Sequence, residues 1–477
     1  MRKTRILLAV VFLSAVGVCR ADSGIDLAKE NAELKKRVDK LETELAELKK
    51  IVMKQGQPAE AAKEEAKPVQ TTAAPQGEQK AGVMPQLSEA DMKKILDAVQ
   101  KETSKKKMVW SDLDIQIYGN IRLDASYDSS QVEPGNYIKW VRREITNKND
   151  NQFDMTANQT RLGMRLNGPD DGQVKTSGLV EIDFYGSGGG ENTANPRMRH
   201  AYMKLEWPAE RFEILAGQTW DVISPLNPYT LNDTVLWYTG NIGYRRPQLR
   251  LTKSYALSSD VDLKLEGAAV RTIGRKDSSS IDSGSSAGYP GVQGRGSLTF
   301  PFFGPKPTTV GVSGHWAREE YDPSIVAPVH PQRKFESWSA NLDLTQPIYK
   351  WLTLKGEMFT GLNLDAYAGG IGQGVRNTAS GYDKEIASSG GWAAFELGPW
   401  DKWRFNVGAG IDSPDRDDLA GGTGDVRTQN RAIFGNVIYS ITKNAEVGFE
   451  LSHWRTEYQG SGDAEAVRAQ TAFMYKF

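Results

Sequence analysis

From Leu113 onward the chain alternates apolar and polar residues, and this period of two constrains its fold more than any other feature. Ile115, Ile117, Gly119, Ile121, Leu123 and Ala125 interleave with Gln116, Tyr118, Asn120, Arg122, Asp124 and Ser126. Successive side chains of a strand point to opposite faces, so this stretch has one apolar face and one charged face. An amphipathic helix would instead repeat every three to four residues. Sixteen such runs can be placed, at about 115–127, 155–167, 174–186, 197–207, 212–221, 246–254, 260–271, 291–301, 308–319, 335–347, 351–364, 388–398, 402–412, 430–440, 444–456 and 466–477.

The connections between the runs alternate in length. Long ones fall at 128–154, 187–196, 222–245, 272–290, 320–334, 365–387, 413–429 and 457–465. The short ones include GPDDG at Gly168 to Gly172, PAE at Pro208 to Glu210 and GPWD at Gly398 to Asp401. A soluble sandwich has no reason to sort its loops by length. A membrane barrel does: its periplasmic turns are tight, its outer loops are long, and its apolar face meets lipid. The expected fold is all-β, a sixteen-stranded antiparallel transmembrane β-barrel over residues 110–477. An even strand number returns both barrel ends to the same side. The last strand alternates through Phe473, Tyr475 and Phe477, and a terminal aromatic is expected to act as an assembly signal.

The composition agrees with this. Trp (12) and Tyr (17) are frequent and Gly is abundant at 47, as aromatic belts and tight turns require. The formal net charge of −1 argues for no nucleic-acid partner. One cysteine, Cys19, and four histidines leave no intrachain disulfide and no Cys/His metal site to expect.

The N-terminus reads as an export signal over 1–21: Arg2, Lys3 and Arg5, then an apolar stretch from Ile6 to Val18, then Cys19-Arg20-Ala21 for cleavage. Thirteen apolar-rich residues are too few for a spanning helix. Residues 25–54 carry heptads. Leu27, Leu34, Leu41 and Leu48 take d, and Asn31, Val38, Leu45 and Val52 take a. The flanking pairs Glu30–Lys35, Arg37–Glu42 and Glu44–Lys49 are all opposite in sign. A parallel α-helical coiled coil in the periplasm is expected, with Asn31 setting register. Valine at a with leucine at d leans weakly towards two strands. Residues 55–87 form an Ala/Pro/Gln-rich linker expected to be disordered. A short helix and basic segment at 88–107 then precede the barrel.

One connection stands out. Trp220 to Lys253 reads WDVISPLNPYTLNDTVLWYTGNIGYRRPQLRLTK, too long for a hairpin and too aromatic for a solvent loop. It is the third long connection and is expected to fold into the bore and narrow it. Arg245 sits at its exit, and alternation turns Arg246 and Arg250 inward. Arg122, Arg161 and Arg165 face the lumen by the same rule, and Asp221 and Asp233 flank or occupy the loop. His200, Lys204, Lys264, Lys355 and Arg404 also fall on polar faces, as do Asp124, Glu181, Asp183, Glu206, Asp262, Glu266, Glu357, Glu446 and Glu450. Arginine ladders in a pore favour anions through their field. Enzyme motifs are not convincing. Gly284-Ser285-Ser286-Ala287-Gly288 fits a nucleophile elbow but lacks the strand-to-helix context. Asp412, Asp415, Asp417 and Asp418 read as a solvated loop tip before a Ca²⁺ site. Neither a metal nor a cofactor is expected.

The order of export signal, coiled coil, linker and barrel resembles the DcaP-like outer-membrane porins. The residues that carry the resemblance are the heptads from Leu27 to Val52, IYGNIRLDASYD at Ile117 to Asp128, GQTWDVISPLNP at Gly217 to Pro228, and NIGYRRPQLRLT at Asn241 to Thr252. The resemblance implies a trimeric porin, set in outer-membrane lipid, with an arginine-lined pore for small anionic solutes such as dicarboxylates and aromatic acids. The implied trimer is preferred over the two strands the heptads favour. Two function classes follow: passive diffusion of such solutes, or a structural tether in which the coiled coil holds the membrane near peptidoglycan and the pore is secondary.

Overall fold

A computed structural model describes residues 107–110, 113–144, 150–169, 172–191, 193–273, 284–321 and 332–477. The chain divides into Met1–Gln86 and Leu87–Phe477, and every described residue belongs to the second unit. The export signal at 1–21, the coiled coil at 25–54, the linker at 55–87 and the helix expected from residue 88 lie outside the described residues. Lys107 was expected at the end of that helical and basic segment. Instead it opens a short strand, Lys107–Trp110, which turns back on the first barrel strand with Trp110 opposite Leu113.

Sixteen wall strands follow: β1 Leu113–Asp128, β2 in two pieces, Gln152–Thr156 and Arg161–Asn167, β3 Lys175–Asp183, β4 Arg197–Trp207, β5 Phe212–Trp220, β6 Arg245–Ala256, β7 Asp262–Val270, β8 Gly291–Phe300, β9 Thr308–Tyr321, β10 Arg333–Tyr349, β11 Leu352–Leu362, β12 Ala387–Trp400, β13 Trp403–Pro414, β14 Arg427–Ser440, β15 Ala445–Tyr458 and β16 Ser461–Lys476. Each pairs antiparallel with its neighbours, and β16 returns to β1 with Asp128 opposite Arg468 and Asn120 opposite Lys476. At this seam Gly119 and Phe477 exchange both backbone hydrogen bonds at 3.1 Å. Closure leaves no unpaired edge, which is what lets a sheet sit in lipid. Sixteen strands are also enough to enclose an aqueous channel.

The alternation sorts the two faces as expected. Along β1, Ile121 and Leu123 are exposed on the outside, while Arg122, Asp124, Ser126 and Asp128 are buried within. Around the short-turn end, outward aromatics form a belt: Tyr349 stacks on Trp351, and Trp351 meets Trp400 and Trp403 meets Tyr439 at tilted angles. Their amphipathic rings suit a membrane interface.

The loop alternation fails once. The expected long connection at 457–465 is a two-residue turn, Gln459 and Gly460, with Tyr458 opposite Ser461. Above the membrane both strand faces meet water or loop, so the apolar signal fades while backbone pairing continues.

Among the described residues, three long connections pack inside the barrel. The first, 129–151, carries its own hairpin of Val132–Pro134 against Ile138–Val141. The third is 221–244, and the sixth, 363–386, carries two 3₁₀ turns, Asp365–Tyr367 and Gly370–Gly372. Val132, Ile138, Val141 and Leu236 pack against Trp392, Phe434 and Trp454 of the far wall. Ile223, Ile242, Phe359, Leu364 and Tyr367 make a second cluster between the third and sixth loops. This part of the bore is an apolar plug, and the sequence reading foresaw only its third-loop component.

Candidate functional site

The third loop crosses the bore and is held by polar groups of the opposite wall. The Glu357 carboxylate accepts from Leu226 N at 2.7 Å, and Glu450 accepts from Leu231 N at 2.7 Å. Asn436 donates to the Tyr229 carbonyl at 2.8 Å and Asn430 to the Tyr238 carbonyl at 2.9 Å. A loop lying across a bore has no ladder partner for its backbone, so wall side chains must supply one. Gly240 has φ +109°, and a Cβ there would sit 2.1 Å from the Gly391 carbonyl oxygen, so the loop touches the wall backbone directly.

On the loop's other side lies a cavity of about 650 Å³ lined by Tyr137, Lys139, Arg197, Asp233, Trp237 and Arg245, among others. Arg245 is 3% exposed. Its guanidinium lies 4.6 Å from the Trp220 ring centre, 4.9 Å from Tyr244 and 5.8 Å from Trp237. Neither terminal nitrogen has a hydrogen-bond acceptor in good geometry, and the Tyr244 hydroxyl is its polar neighbour. Lys139 from the first loop lies 5.6 to 5.7 Å from the ring centres of Tyr137, Trp140 and Tyr238 and makes no ion pair among the described residues. Burial lowers its pKa from the usual lysine value.

Further cations stand on β2 and β4. Arg197 pairs with Asp183 at 2.6 Å and more loosely with Asp233 at 3.7 Å. Arg199 bridges Glu181 at 2.7 Å and Asp183 at 2.9 Å. Arg161 is surrounded by Arg199, Asp233, Glu181 and Arg122 without an ion pair among the described residues. Six cations, Lys139, Arg161, Arg197, Arg199, Arg245 and Arg271, thus stand with four carboxylates, Glu181, Asp183, Asp233 and Asp365, in and around the cavity. The cavity and its surroundings carry excess positive charge, clad in aromatic rings.

With this geometry in hand, the likenesses to known proteins can be placed. Residues 85–283 match the family model described as DcaP outer membrane protein. Over that stretch the chain resembles the DcaP outer-membrane proteins. In fold it is similar to the outer membrane channel DcaP of Acinetobacter baumannii at TM-score 0.62 and 17% identity, over 77% of this chain and 99% of that one. It is also similar to OmpF of Salmonella typhi, at TM-score 0.50 and 13% identity over 78% of this chain and 100% of that one. No curated protein matches it by sequence. The closed barrel and the family match together support a place in the bacterial outer membrane.

The sequence-predicted arginines separate into two kinds. Arg245 and Asp233 line the cavity, and Arg161 lies near Asp233. Arg165 is exposed nearer the short-turn end, 3.8 Å over the Tyr118 ring. Three residues taken as pore lining are fasteners instead. Arg246 is 0% exposed: it pairs with Asp221 at 2.7 Å, donates to the Ala366 carbonyl at 3.0 Å and lies 3.8 Å under the Tyr367 ring. Asp221 also accepts from Tyr244 N and from Gln293, both at 2.8 Å, which ties both ends of the third loop to the wall. Arg122 pairs with Asp124 at 2.7 Å and donates to the Leu231 carbonyl at 2.5 Å. Each points inward as alternation requires, but a loop has taken the water's place. Arg250 is intermediate: it donates to Gln248 and the Trp220 carbonyl, with Glu266 at 3.8 Å.

Sequence reasoning missed Lys139, Arg197 and Arg199. Lys139 lies in a loop, where alternation says nothing. On β4 the register shifts between Glu181 and Ile182, so His200 opposes Glu181 while Met198 opposes Ile182. Arg199 is the extra residue of this bulge and faces inward, as do His200 beside it and Arg197. Phasing the strand on His200 and Lys204 hides both arginines. Of the aspartates weighed for Ca²⁺, Asp415 caps the short helix Arg416–Leu419 through Asp417 N and Asp418 N, and Asp412 is buried on Ser388 and Ile371 N.

Proposed function

We propose that this protein is a passive diffusion channel for small anionic solutes, aromatic acids and dicarboxylates among them, and not an enzyme. The observation that carries the proposal is Arg245: a guanidinium set among three rings beside the cavity, without a carboxylate partner among the described residues. A carboxylate entering the cavity would supply the missing acceptors, and a flat ring would meet Trp237 and Tyr244. The pairs on Arg197 and Arg199 keep the net field modest, so a solute can leave as well as enter, as conduction requires. From the family resemblance we also take it to assemble as a homotrimer, with the heptads from Leu27 to Val52 in the periplasm.

Reversal potentials in a KCl gradient test the proposal. The parent channel should prefer chloride. The triple variant Arg245→Gln, Arg161→Gln and Lys139→Gln should lose that preference while keeping an open pore. A parent channel that prefers potassium, or a triple variant as anion-selective as the parent, would overturn it.

A further inference from the structure

The outer wall carries a depression distinct from the bore. Along β12 and β13 the outward positions are small: Ser389, Gly391 and Ala393 on one strand, Ala409 on the next. Met358 on β11 and Ile411 and Ile433 on β13 and β14 stand proud of them, at 65%, 40% and 61% exposure. The result is a groove of about 930 Å³ with mostly apolar walls. It faces hydrocarbon, since this is the membrane face of a closed barrel.

One end of the groove is cationic. Arg431 and His453 both line it. Met358, Gly391, Ile411, Arg431 and Arg455 lie in one cross-strand row, with Arg431 directly opposite Arg455. Like charges facing each other across a strand pair are unfavourable unless something screens them. Arg455 has acidic neighbours in Asp463 and Glu465, and His453 lies 3.6 Å from Glu465. Arg431 is exposed, faces outward and has no ion pair or hydrogen bond among the described residues. It is the fifth residue of β14 counted from the outer end. A free guanidinium on a lipid-facing wall is tolerated at headgroup depth, where a phosphate can neutralise it.

We infer that this groove is a binding site for a phosphorylated, acylated lipid of the outer leaflet. An acyl chain lies over Ser389, Gly391, Ala393 and Ala409 between Met358 and Ile433. A headgroup phosphate accepts hydrogen bonds from Arg431, and a ring N–H of His453 adds a second donor. The small residues make room for the chain and Arg431 selects the charge, so neither feature alone defines the site.

Native mass spectrometry of the detergent-solubilised full chain tests this, with lipid A (a diphosphorylated, multiply acylated glucosamine disaccharide) as the probe and phosphatidylcholine as the zwitterionic control. The parent should retain lipid A in preference to the control. Arg431→Gln should lower lipid A retention about tenfold without changing retention of the control. Ala393→Leu with Ala409→Leu, which fills the groove and leaves Arg431 in place, should lower retention of both. Single-channel conductance equal to the parent's confirms that each variant has folded. Equal lipid A retention by parent and both variants would overturn the inference. So would a groove-filled variant that loses subunit association but keeps its lipid, since the groove would then be a contact between copies of the chain.

Discussion

The two sides of the bore handle inward-pointing charge in opposite ways. On the side of β11 to β15, Glu357, Asp412, Asn430, Asn436 and Glu450 are buried beneath the loops and spend their hydrogen bonds on loop backbone. On the side of β2 to β6, the cations outnumber the acids and Arg245 and Arg161 keep no ion pair among the described residues. The far-wall set arises from the alternation of polar with apolar residues; the cations of the second side come partly from it and partly from a bulge, a strand end and a loop. They differ in where their hydrogen bonds go. A polar group bonded to a loop or to a carboxylate becomes structural; one left without an acceptor beside the cavity stays available to solute. Arg246 and Arg245 show the contrast within one dipeptide. Arg246 is locked to Asp221, and its neighbour sits among rings beside the cavity.

The largest expected effect is on the fastener itself. Asp221→Ala leaves Arg246 as an uncompensated buried charge, at a cost of about 3–5 kcal/mol. The thermal midpoint of the solubilised barrel should fall and the channel current should become noisier. A variant that melts like the parent would mean that Arg246 is not held as described. Next comes the far wall. Glu357→Ala combined with Glu450→Ala strips the acceptors from Leu226 N and Leu231 N, each worth about 1–3 kcal/mol. Because a loop is released and the wall strands stay paired, single-channel conductance should rise and selectivity weaken. Unchanged conductance would show that the far wall does not hold the constriction.

Smaller changes are expected where charge is free. A unit charge about 4 Å from a passing anion is worth about 1 kcal/mol in water-like surroundings. Arg245→Gln should therefore cut the anion-to-cation permeability ratio roughly fivefold at low salt, with little change in melting. An equal ratio would place the selecting charge elsewhere. The smallest effect should come from Lys139, whose pKa burial lowers. The cation is the protonated form, so anion preference should decline as pH rises through this lowered value, earlier than for an ordinary lysine. Lys139→Arg should abolish that decline, because arginine keeps its charge. A profile shared by both proteins would assign the titration to another group.

Much of this was legible in advance. The sixteen strands, the two faces and the inward third loop follow from apolar periodicity and connection length, both local properties. The failures came where local pattern loses its hold. The turn at Gln459–Gly460 lies where neither strand face meets lipid, and Arg199 hides in a bulge that shifts the phase of β4. Lys139 sits in a loop that gave no periodic signal.

Along the regular wall strands the sequence by itself determined which side chains point into the barrel, because facing there depends only on a residue's place along its strand; the bulge at Arg199 and the loop at Lys139 escape that rule. Tertiary structure decided which of them remain free. Leu231 meets Glu450 across 219 residues, and Ile138 meets Asn232 across 94. Such pairings depend on how the loops fold back across the bore. Hydrogen bonding to those loops turns Arg122 and Arg246 into fasteners, and its absence leaves Arg245 beside the cavity and Arg161 near Asp233.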